Sequence, residues 1–396
     1  MTNEELRIAA ERFGTPCFIF DEAVLAERVA EIRGIFGGKI HLCYSIKANP
    51  FLTSVMSSLT DRLEVCSPGE MNICERLGID GEKIIYSGVN KTPENIAAAF
   101  NAGAGIFTAE SLLHVRELNE LGCEQGKVLP VLLRLNAGSQ FGMSREDALS
   151  VIAEREKYSG ITLEGIHYFA GTQRRKLSEK QKELEMLREF FDEVEREYGL
   201  RLRRLEYGPG LPVPYFEGDD FSDTLAPARE IADELRKAAE WADVTVEMGR
   251  FFVSECGFYL TRIMDQKSNL GTNYCIIDGG INHLNYFGQI MGMKIPVMRH
   301  LKAEGNGETA AEDWCLCGSL CTTGDVLVRK VSIEGLRIGD VLAFENIGAY
   351  SVCEGIYMFL SRMMPKIILR HGDGSLEQVR EAFDTSLLNT VNIYNN

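Results

Sequence analysis

Residues 39–50 read KIHLCYSIKANP, an apolar run that ends in polar residues, and this arrangement decides the fold. The run predicts a strand, and the same pattern recurs seven more times along the chain. The predicted strands are Lys39–Tyr44, Arg62–Cys66, Lys83–Ser87, Gly105–Thr108, Val128–Leu135, Thr162–Phe169, Leu202–Tyr207 and Asp243–Glu247. Between them, apolar residues three or four positions apart predict helices, as at Leu25, Val29, Ile32 and Phe36.

Eight strand–helix units predict a (β/α)₈ barrel, which needs about 200 residues or more. A doubly wound open sheet is the alternative, because the number of strands alone does not distinguish the two. After residue 250 the pattern changes, and we predict a barrel over residues 22–255 and a β-rich domain from residues 1–21 and 256–396 that takes in the N-terminal strand. Strand-like runs there are Gly257–Ile263, Asn273–Ile277, Val326–Val331, Val341–Phe344 and Lys366–Arg370, and helical spacing returns at Leu376–Phe383.

The composition narrows the class of protein. The chain has 396 residues, of which 45% are hydrophobic, and its net charge is −16, so a globular protein is expected that binds neither nucleic acid nor an anionic membrane. No apolar run reaches the ~18 residues of a membrane span. Residues Met1–Ile8 lack the layout of a signal peptide, and the 11 cysteines show no disulfide framework, so we expect reduced thiols in a cytoplasmic enzyme.

Polar residues and glycines follow the predicted strands. Because barrels carry their chemistry at the C-terminal ends of the strands, these residues are candidates for an active site. They are Lys47, Glu64, Ser67, Gly88, Arg134, His167, Phe169, Gly208, Gly210, Glu247, Gly249 and Arg250. Of these, His167 is interpreted as a core histidine rather than a catalyst.

Each candidate has a plain interpretation and a chemical one. Lys47 is either a surface cation or an amine whose pKa is lowered by desolvation, as a Schiff-base lysine requires. Gly208 and Gly210 either form a tight turn or, with Arg250, bind phosphate after strands seven and eight. Glu247 is either an ion-pair partner or the acid that keeps the ring nitrogen of pyridoxal phosphate protonated.

Two other motifs carry weaker signals. Cys315, Cys317 and Cys321 have a spacing that suggests zinc, but a second pair of ligands is missing, so we predict no metal. Gly279 and Gly280 are too short a motif for dinucleotide binding.

Seven short motifs resemble, in order, those of the fold-type III pyridoxal-phosphate decarboxylases, which include diaminopimelate and ornithine decarboxylases. Residues 44–49 (YSIKAN) are similar to the lysine motif Y-A-x-K-A-N, and residues 167–173 (HYFAGTQ) to H-x-H-I-G-S-Q. The remaining five are 64–70 (EVCSPGE), 207–210 (YGPG), 247–250 (EMGR), 318–321 (GSLC) and 348–350 (GAY).

The resemblance implies pyridoxal 5'-phosphate as the cofactor and a role for each matching residue. Lys47 would carry the cofactor as a Schiff base, Phe169 would stack on its ring, and Glu247 would meet its nitrogen. The residues implied for the phosphate are Thr172, Gly210, Arg250 and Tyr350, and those that complete the cofactor site are Glu64, Arg134, Gly208 and Gly249. Family members are head-to-tail homodimers with shared active sites, so Cys321 would reach the partner's site and protonate the carbanion after CO₂ leaves.

Three departures from the family pattern bear on the substrate. Phe169 replaces the stacking histidine, and Pro209 removes one N–H donor. Thr322 follows Cys321, where decarboxylases of basic amino acids have an acid that would hold the substrate's distal cation, and Thr322 and Tyr350 are the implied substrate contacts. These departures resemble the sequences of a specialised branch of the family. Enzymes of that branch serve natural-product and siderophore pathways and act on amino acids linked to a carrier protein or a citryl group.

Three alternatives remain open. The first is a decarboxylase of free diaminopimelate, ornithine, lysine or arginine. The second is a racemase on the same barrel, against which Glu247 argues because racemases of that kind place an arginine at the ring nitrogen. The third is an inactive binding or regulatory homologue, against which the presence of Lys47 and Cys321 argues.

Overall fold

The structure is a computed structural model, and it describes residues 1–284, 292–303 and 310–391. The chain forms two compact units. One consists of Arg28–Val213 and Ser222–Phe252, and the other of Met1–Glu27, Pro214–Phe221 and Val253–Asn396. We call the first the barrel unit and the second the sheet unit.

Strands and helices alternate along the chain from residue 41 to residue 248. The helices are α1 (Asn3–Phe13), α2 (Glu22–Phe36), α3 (Thr53–Leu59), α4 (Pro68–Arg76), α5 (Pro93–Asn101), α6 (Leu112–Gln125), α7 (Arg145–Ala153), α8 (Leu177–Tyr198), α9 (Ala226–Ala238), α10 (Arg250–Val253) and α11 (Ser386–Asn389). The first nine strands are β1 (Cys17–Asp21), β2 (His41–Ser45), β3 (Arg62–Val65), β4 (Ile84–Tyr86), β5 (Ile106–Ala109), β6 (Leu129–Arg134), β7 (Ile161–Phe169), β8 (Arg204–Gly208) and β9 (Asp243–Met248). The remaining strands are β10 (Gly257–Asn269), β11 (Thr272–Ile277), β12 (Met298–Leu301), β13 (Ala311–Cys317), β14 (Val326–Glu334), β15 (Val341–Glu345), β16 (Lys366–Arg370) and β17 (Leu376–Arg380).

The barrel unit contains a closed parallel barrel of strands β2 to β9 in sequential order. Each of the eight predicted strands overlaps one of these strands. Closure is made by β2 and β9, where His41 lies opposite Thr245 and Cys43 opposite Glu247. The predicted (β/α)₈ barrel is therefore confirmed, and the open doubly wound sheet is excluded.

The barrel interior changes from apolar to polar along the strands. A buried cluster of Cys43, Ile85, Ile106 and Leu132 joins strands β2, β4, β5 and β6, which can meet only inside the barrel. Because side chains alternate along a strand, the next inward residue of β2 toward its C-terminal end is Ser45. Its neighbours in register and contact are carboxylates rather than apolar groups, so an apolar layer underlies a polar layer at the C-terminal end.

The helices form where their apolar faces and capping residues predict them. The face of α2 that contains Leu25, Val29, Ile32 and Phe36 is buried. The α5 helix begins with Pro93, and the Thr92 side chain accepts a hydrogen bond from the backbone N–H of Asn95. Within the described part of the chain, no helix is long and apolar enough to cross a membrane.

The sheet unit is built on a nine-stranded mixed sheet. Its main path runs β14-β13-β11-β10-β1-β16-β17, and β15 pairs with both β10 and β12. The N-terminal strand β1 lies antiparallel to β10 and parallel to β16, which confirms that it joins the β-rich domain. Its Cys17 and Ile19 pack in one core with Leu6 and Phe13 of α1 and with residues of β10, β15 and β16.

One sequence-based expectation was wrong. Residues Leu376–Phe383 have helical spacing, but Leu376–Arg380 forms strand β17, antiparallel to β16. The cause is the preceding turn, where Gly374 has a φ of 85° and the His371 N–H donates to the Ser375 carbonyl. This turn sends the chain back along β16, and the tertiary pairing overrides the local helical pattern.

Candidate active site

Lys47 lies directly after strand β2, in a single 3₁₀ turn formed by Ile46–Ala48. The segment that follows is fixed from both sides. The Tyr44 hydroxyl donates to the Asn49 carbonyl at 2.9 Å, and the Asn49 side chain accepts from the Phe51 N–H at 3.1 Å. The lysine is therefore carried by a rigid strand end rather than by a free loop.

The Lys47 amine lies between two carboxylates. Its Nζ donates to Glu64 Oε2 at 2.5 Å, lies 3.5 Å from Glu247 Oε1 and is 3.5 Å from Cys66 Sγ. The Cys66 thiol, whose pKa is raised well above its usual value by burial, donates to Glu64 Oε1 at 3.0 Å. Lys47, Glu64 and Glu247 are thus brought together as one cluster.

The electrostatics of Lys47 differ from the sequence-based expectation. Burial lowers the pKa of its ammonium, as expected, but the nearby Cys66, Glu64 and Glu247 side chains outweigh this and hold the pKa well above its usual value. Desolvation alone therefore does not supply the free amine that a Schiff base requires. The amine becomes available only when a proton leaves this cluster.

Glu247 is held by two hydrogen bonds inside the barrel. The Ser45 hydroxyl donates to its Oε1 at 2.9 Å, and His167 Nε2 donates to its Oε2 at 2.9 Å. Burial raises the pKa of this carboxyl, but Lys47 and His167 outweigh burial and hold the pKa well below its usual value. Glu247 is therefore a carboxylate.

Two further residues belong to this cluster: His167, which the sequence suggested to be a core histidine, and Glu206, which was not among the candidates. His167 is buried, as a core histidine would be, but its Nε2 is committed to Glu247 and its Nδ1 has no hydrogen-bond partner in the described chain. Glu206 lies opposite His167 in the β7–β8 register and is buried with it. His167 and Glu206 precede Phe169 and Gly208 by two residues. Because side chains alternate along a strand, this spacing places them on the same inward face as those two candidates and could have identified them.

Glycines 208 and 210 sit where a side chain cannot be accommodated. Gly210 has a φ of 60°, and a Cβ on it would lie 1.9 Å from the Gly171 carbonyl oxygen. Its own carbonyl accepts from the Arg174 N–H at 2.8 Å. The loop after β8 therefore lies against the loop after β7, which carries the exposed Thr172.

Phe169 and Arg134 lie at the ends of neighbouring strands. A Cβ on Gly208 would lie 2.3 Å from the Phe169 ring, so the ring packs directly on this glycine. The Arg134 guanidinium donates to Glu110 Oε1 at 2.8 Å and lies 4.9 Å from the centre of the Phe141 ring. Arg134 is therefore held in a buried ion pair.

Gly249 connects the end of β9 to the lysine turn. A Cβ on it would lie 2.8 Å from the Cβ of Ala48, so only glycine permits this approach. Arg250 follows as the first residue of α10. Strand β9 therefore brings Glu247, Gly249 and Arg250 to the same end of the barrel as Lys47.

The other predicted site residues belong to the sheet unit. Cys321 and Thr322 lie in the exposed loop after β13. The loop is held by Asp325, whose two carboxylate oxygens accept the N–H groups of Ile281 at 2.8 Å and Leu320 at 2.7 Å. Tyr350 has a φ of 66°, an unusual conformation for a non-glycine residue.

Potential metal ligands converge at a different place from the cysteine motif. Cys315 and Cys317 have their sulfur atoms 3.7 Å apart on β13. Among the described residues, the group whose ligand atoms all lie within 4.8 Å of one another consists of His167, Glu206 and Glu247. Both oxygens of Glu247 already accept hydrogen bonds, and the Lys47 ammonium lies beside it, so the charge of this carboxylate is already compensated.

The barrel residues fit pyridoxal phosphate. A lysine amine stands beside a buried carboxylate that can accept a ring N–H, and glycine loops that exclude side chains lie at the strand ends where barrels bind phosphate. An arginine at the end of β9 supplies a cation for that anion. The fold and this donor set define a pyridoxal-phosphate enzyme of the (β/α)₈ class.

The comparison with protein families agrees with this class. Residues 22–254 match the family described as "Pyridoxal-dependent decarboxylase, pyridoxal binding domain". The match covers more than half of the chain, so the chain belongs to this family of decarboxylases and pyridoxal phosphate is its cofactor.

Individual relatives resemble the chain over nearly its whole length. An L-glutamyl-[BtrI acyl-carrier protein] decarboxylase of Niallia circulans is 25% identical, with 95% of this chain and 93% of the relative covered. A diaminopimelate decarboxylase of Aquifex aeolicus is also 25% identical, with 96% and 92% covered.

Solved structures share the fold. The diaminopimelate decarboxylase of M. jannaschii in complex with L-lysine superposes with a TM-score of 0.82 at 24% identity, and 98% of this chain and 94% of that chain are covered. The lysine/ornithine decarboxylase of Vibrio vulnificus in complex with putrescine gives a TM-score of 0.80 at 20% identity, with 93% and 97% covered.

Proposed function

We propose that this protein removes CO₂ from an amino acid that is conjugated to a carrier protein or a citryl group, or that is otherwise non-basic. The observation that carries the substrate assignment is Thr322, which follows Cys321 where decarboxylases of basic amino acids have an acid. A threonine hydroxyl cannot form an ion pair with the distal cation of lysine, ornithine or diaminopimelate. The substrate is therefore one that has no such cation.

Different barrel residues are proposed to bind different parts of the cofactor. Lys47 is the covalent attachment point, and Glu64 at 2.5 Å is the base that receives the proton its ammonium must lose. The residues proposed to hold the phosphate are Thr172, Gly210, Arg250 and Tyr350, and Gly208 and Gly249 are proposed to complete the cofactor site. Phe169 supplies an aromatic face, and Arg134, which donates to Glu110 Oε1, is proposed to complete the cofactor site.

When bound, pyridoxal phosphate supplies an electron sink for the electron pair that remains when CO₂ leaves. Glu247 supports this sink because a carboxylate stabilises a protonated ring nitrogen. The Ser45 and His167 hydrogen bonds keep Glu247 ionised and oriented. A carboxylate at this place supports decarboxylation over racemisation, for which an arginine at the nitrogen is expected.

Cys321 is proposed to return a proton to the substrate carbon after CO₂ has left. Its loop is exposed, as a group that serves the site of a second subunit requires. We therefore propose a homodimer in which each subunit donates its Cys321 to its partner's site.

The loop around Cys321 also supports a non-basic substrate. Arg362 donates to the Ser319 carbonyl at 2.6 Å, which brings a cation to this loop. The nearby Asp325 does not replace the missing acid, because both of its oxygens accept backbone N–H groups. The Niallia circulans relative, whose name specifies a glutamyl group on a carrier protein, agrees with this assignment.

A CO₂-release assay tests the substrate. The purified protein with pyridoxal phosphate is given glutamyl and other aminoacyl carrier proteins, citryl-linked amino acids, and free diaminopimelate, ornithine, lysine and arginine. We expect release from a conjugated substrate only. Turnover of a free basic amino acid at about 10 s⁻¹, the median of enzymes, would overturn the proposal in favour of an ordinary decarboxylase.

The variant Thr322→Asp sharpens this test. If residue 322 sets the charge that the site accepts, an aspartate there raises the ratio of free-lysine to conjugated-substrate turnover. Thr323→Asp is the matched control, because it adds the same charge one residue away. An equal response of both variants would show that residue 322 does not contact the distal end of the substrate.

A further inference from the structure

Glu206 is a buried carboxylate to which the proposed function gives no role. It lies on β8 and is 1% exposed, and neither of its carboxylate oxygens makes a hydrogen bond to a described residue. A carboxyl group buried without hydrogen bonds costs free energy of folding. Such a group persists where its charge or its proton serves a purpose.

The neighbours of Glu206 indicate what that purpose is. His167 lies opposite it on β7, and the ligand atoms of Glu206, His167 and Glu247 all lie within 4.8 Å of one another. His167 Nε2 donates to Glu247 Oε2 at 2.9 Å, while its Nδ1 is buried without a hydrogen bond. The imidazole is therefore placed among two carboxylates, and only one of them is its hydrogen-bond partner.

The charges of this trio are coupled. Burial lowers the pKa of His167, but the Glu206 charge and the Glu247 hydrogen bond outweigh it, so the pKa lies above its usual value. Burial raises the pKa of Glu206 to about 7. Other titratable or charged groups that act on the trio are Lys47, Glu64, Arg134 and Cys43.

We propose that Glu206 is a positioning residue that holds His167 as an imidazolium, with its Nε2–H fixed on Glu247. With His167 positively charged, Glu247 stays a carboxylate and can accept the N–H of the cofactor ring. The role of Glu206 is therefore exerted through His167, without contact to substrate or cofactor. This inference rests on the proposed role of Glu247, but not on the identity of the substrate.

The first test follows the protonation of His167 in the protein without added cofactor. The chain has six histidines, and the NMR signal of His167 is assigned by its loss in His167→Asn. We expect the titration midpoint of His167 to lie above that of a free imidazole in the wild type, and to fall by about one pH unit or more in Glu206→Gln. An unchanged midpoint overturns the proposal.

The second test is a double-mutant cycle on the decarboxylation rate. Glu206→Gln is expected to lower kcat about tenfold in the wild type but less than twofold in His167→Asn, because residues of one network are not additive. Glu206→Asp, which keeps the charge, is expected to recover most of the rate. Equal fold-losses of kcat in both backgrounds would show a role independent of His167 and would overturn the proposal.

The control variant is Glu117→Gln on α6. Glu117 also has a carboxylate oxygen without a hydrogen bond, but it lies outside the trio, and its replacement is expected to leave kcat unchanged. The outcome of the NMR test can be distinguished from failure of the proposed function. If no substrate is decarboxylated the function fails, while the NMR titration still decides the role of Glu206.

Discussion

At the scale of single residues, attachment of the cofactor depends on the protonation state of Lys47. Lys47 is stabilised as an ammonium by Glu64 and Glu247, although a lysine must be a free amine to attach the cofactor. Glu64 has the shortest contact, at 2.5 Å, and acts with Cys66 and Glu247 to hold the pKa of the lysine above its usual value. Its removal should therefore change the pH at which the cofactor attaches.

Glu64→Gln tests this balance. Loss of the carboxylate removes an opposite charge beside Lys47, so the pKa of the lysine falls and more of it is a free amine at neutral pH. We expect the midpoint of the pH dependence of cofactor attachment, followed by absorbance, to fall by about one pH unit. Glu94→Gln, an exposed change on α5, is the control, and a rise in the midpoint would contradict the assignment.

The buried Glu206 predicts a pH dependence of stability. Burial raises its pKa to about 7, while an unfolded glutamate has a pKa of 4.5, so the folded protein binds this proton more tightly. The resulting stabilisation is complete below pH 4.5 and is lost as the pH rises through 7. It amounts to about 3 kcal/mol.

Glu206→Gln removes this titration. Relative to the wild type without cofactor, the variant should gain about 3 kcal/mol in the free energy of unfolding between pH 4 and pH 8. Denaturant unfolding at both pH values, with Glu189→Gln, an exposed change on α8, as the reference, measures the difference. A stability difference that is the same at both values would contradict a raised pKa.

At the scale of elements, the barrel could be predicted from sequence, but its polar contacts could not. Buried parallel strands are continuous apolar runs, which is why all eight predicted strands overlap the observed ones. The hydrogen bond from His167 to Glu247 joins residues 80 apart, and no local pattern encodes it. The hairpin that ends in β17 was missed for the same reason, because its pairing with β16 overrides helical spacing.

For the functional motifs, too, positions could be predicted from the sequence but interactions could not. The positions of Lys47, Glu247 and the glycine loops follow from strand ends and can be read from the sequence. The direction of the Lys47 pKa could not be predicted, because it depends on Glu64 and Glu247, which two other strands supply.

Gly210→Ala tests the contact between the loops after β7 and β8. Gly210 has a φ of 60°, and a Cβ there would lie 1.9 Å from the Gly171 carbonyl oxygen. Gly199, at the end of α8, has a φ of 63° with no atom near its Cβ position, so Gly199→Ala has the same backbone strain without the clash. We expect cofactor affinity to fall at least about tenfold in Gly210→Ala and to be unchanged in Gly199→Ala, because about 1.4 kcal/mol of lost binding is tenfold. Equal affinities would show that this loop does not hold the cofactor.

At the scale of the whole molecule, the N-terminal segment is part of the sheet formed by the C-terminal half. Ile19 of β1 lies opposite Phe258 of β10 and Ile368 of β16, and it is fully buried. The first strand therefore lies between two strands, β10 and β16, that are far apart in the chain. A change here should unfold the sheet unit, although β1 is far in sequence from the strands with which it pairs.

Ile19→Asp and Ile8→Asp form a matched pair for this prediction. The first buries an unpaired charge in the sheet and should cost about 4 kcal/mol or more, whereas the second lies on the exposed side of α1 and should change stability by no more than about 0.5 kcal/mol. Ile8 is 47% exposed. Thermal unfolding measures both, and equal effects would contradict the central position of β1.

The central claim is that Lys47 is the lysine that carries the cofactor. Lys91 is the natural competitor, because it is 4% exposed and burial lowers its pKa to about 8. The purified protein with pyridoxal phosphate is reduced with borohydride and digested, and the adduct is located by peptide mass mapping. The account predicts one adduct, on Lys47, which is lost in Lys47→Ala and kept in Lys91→Ala. An adduct on Lys91, or none on Lys47, would contradict it.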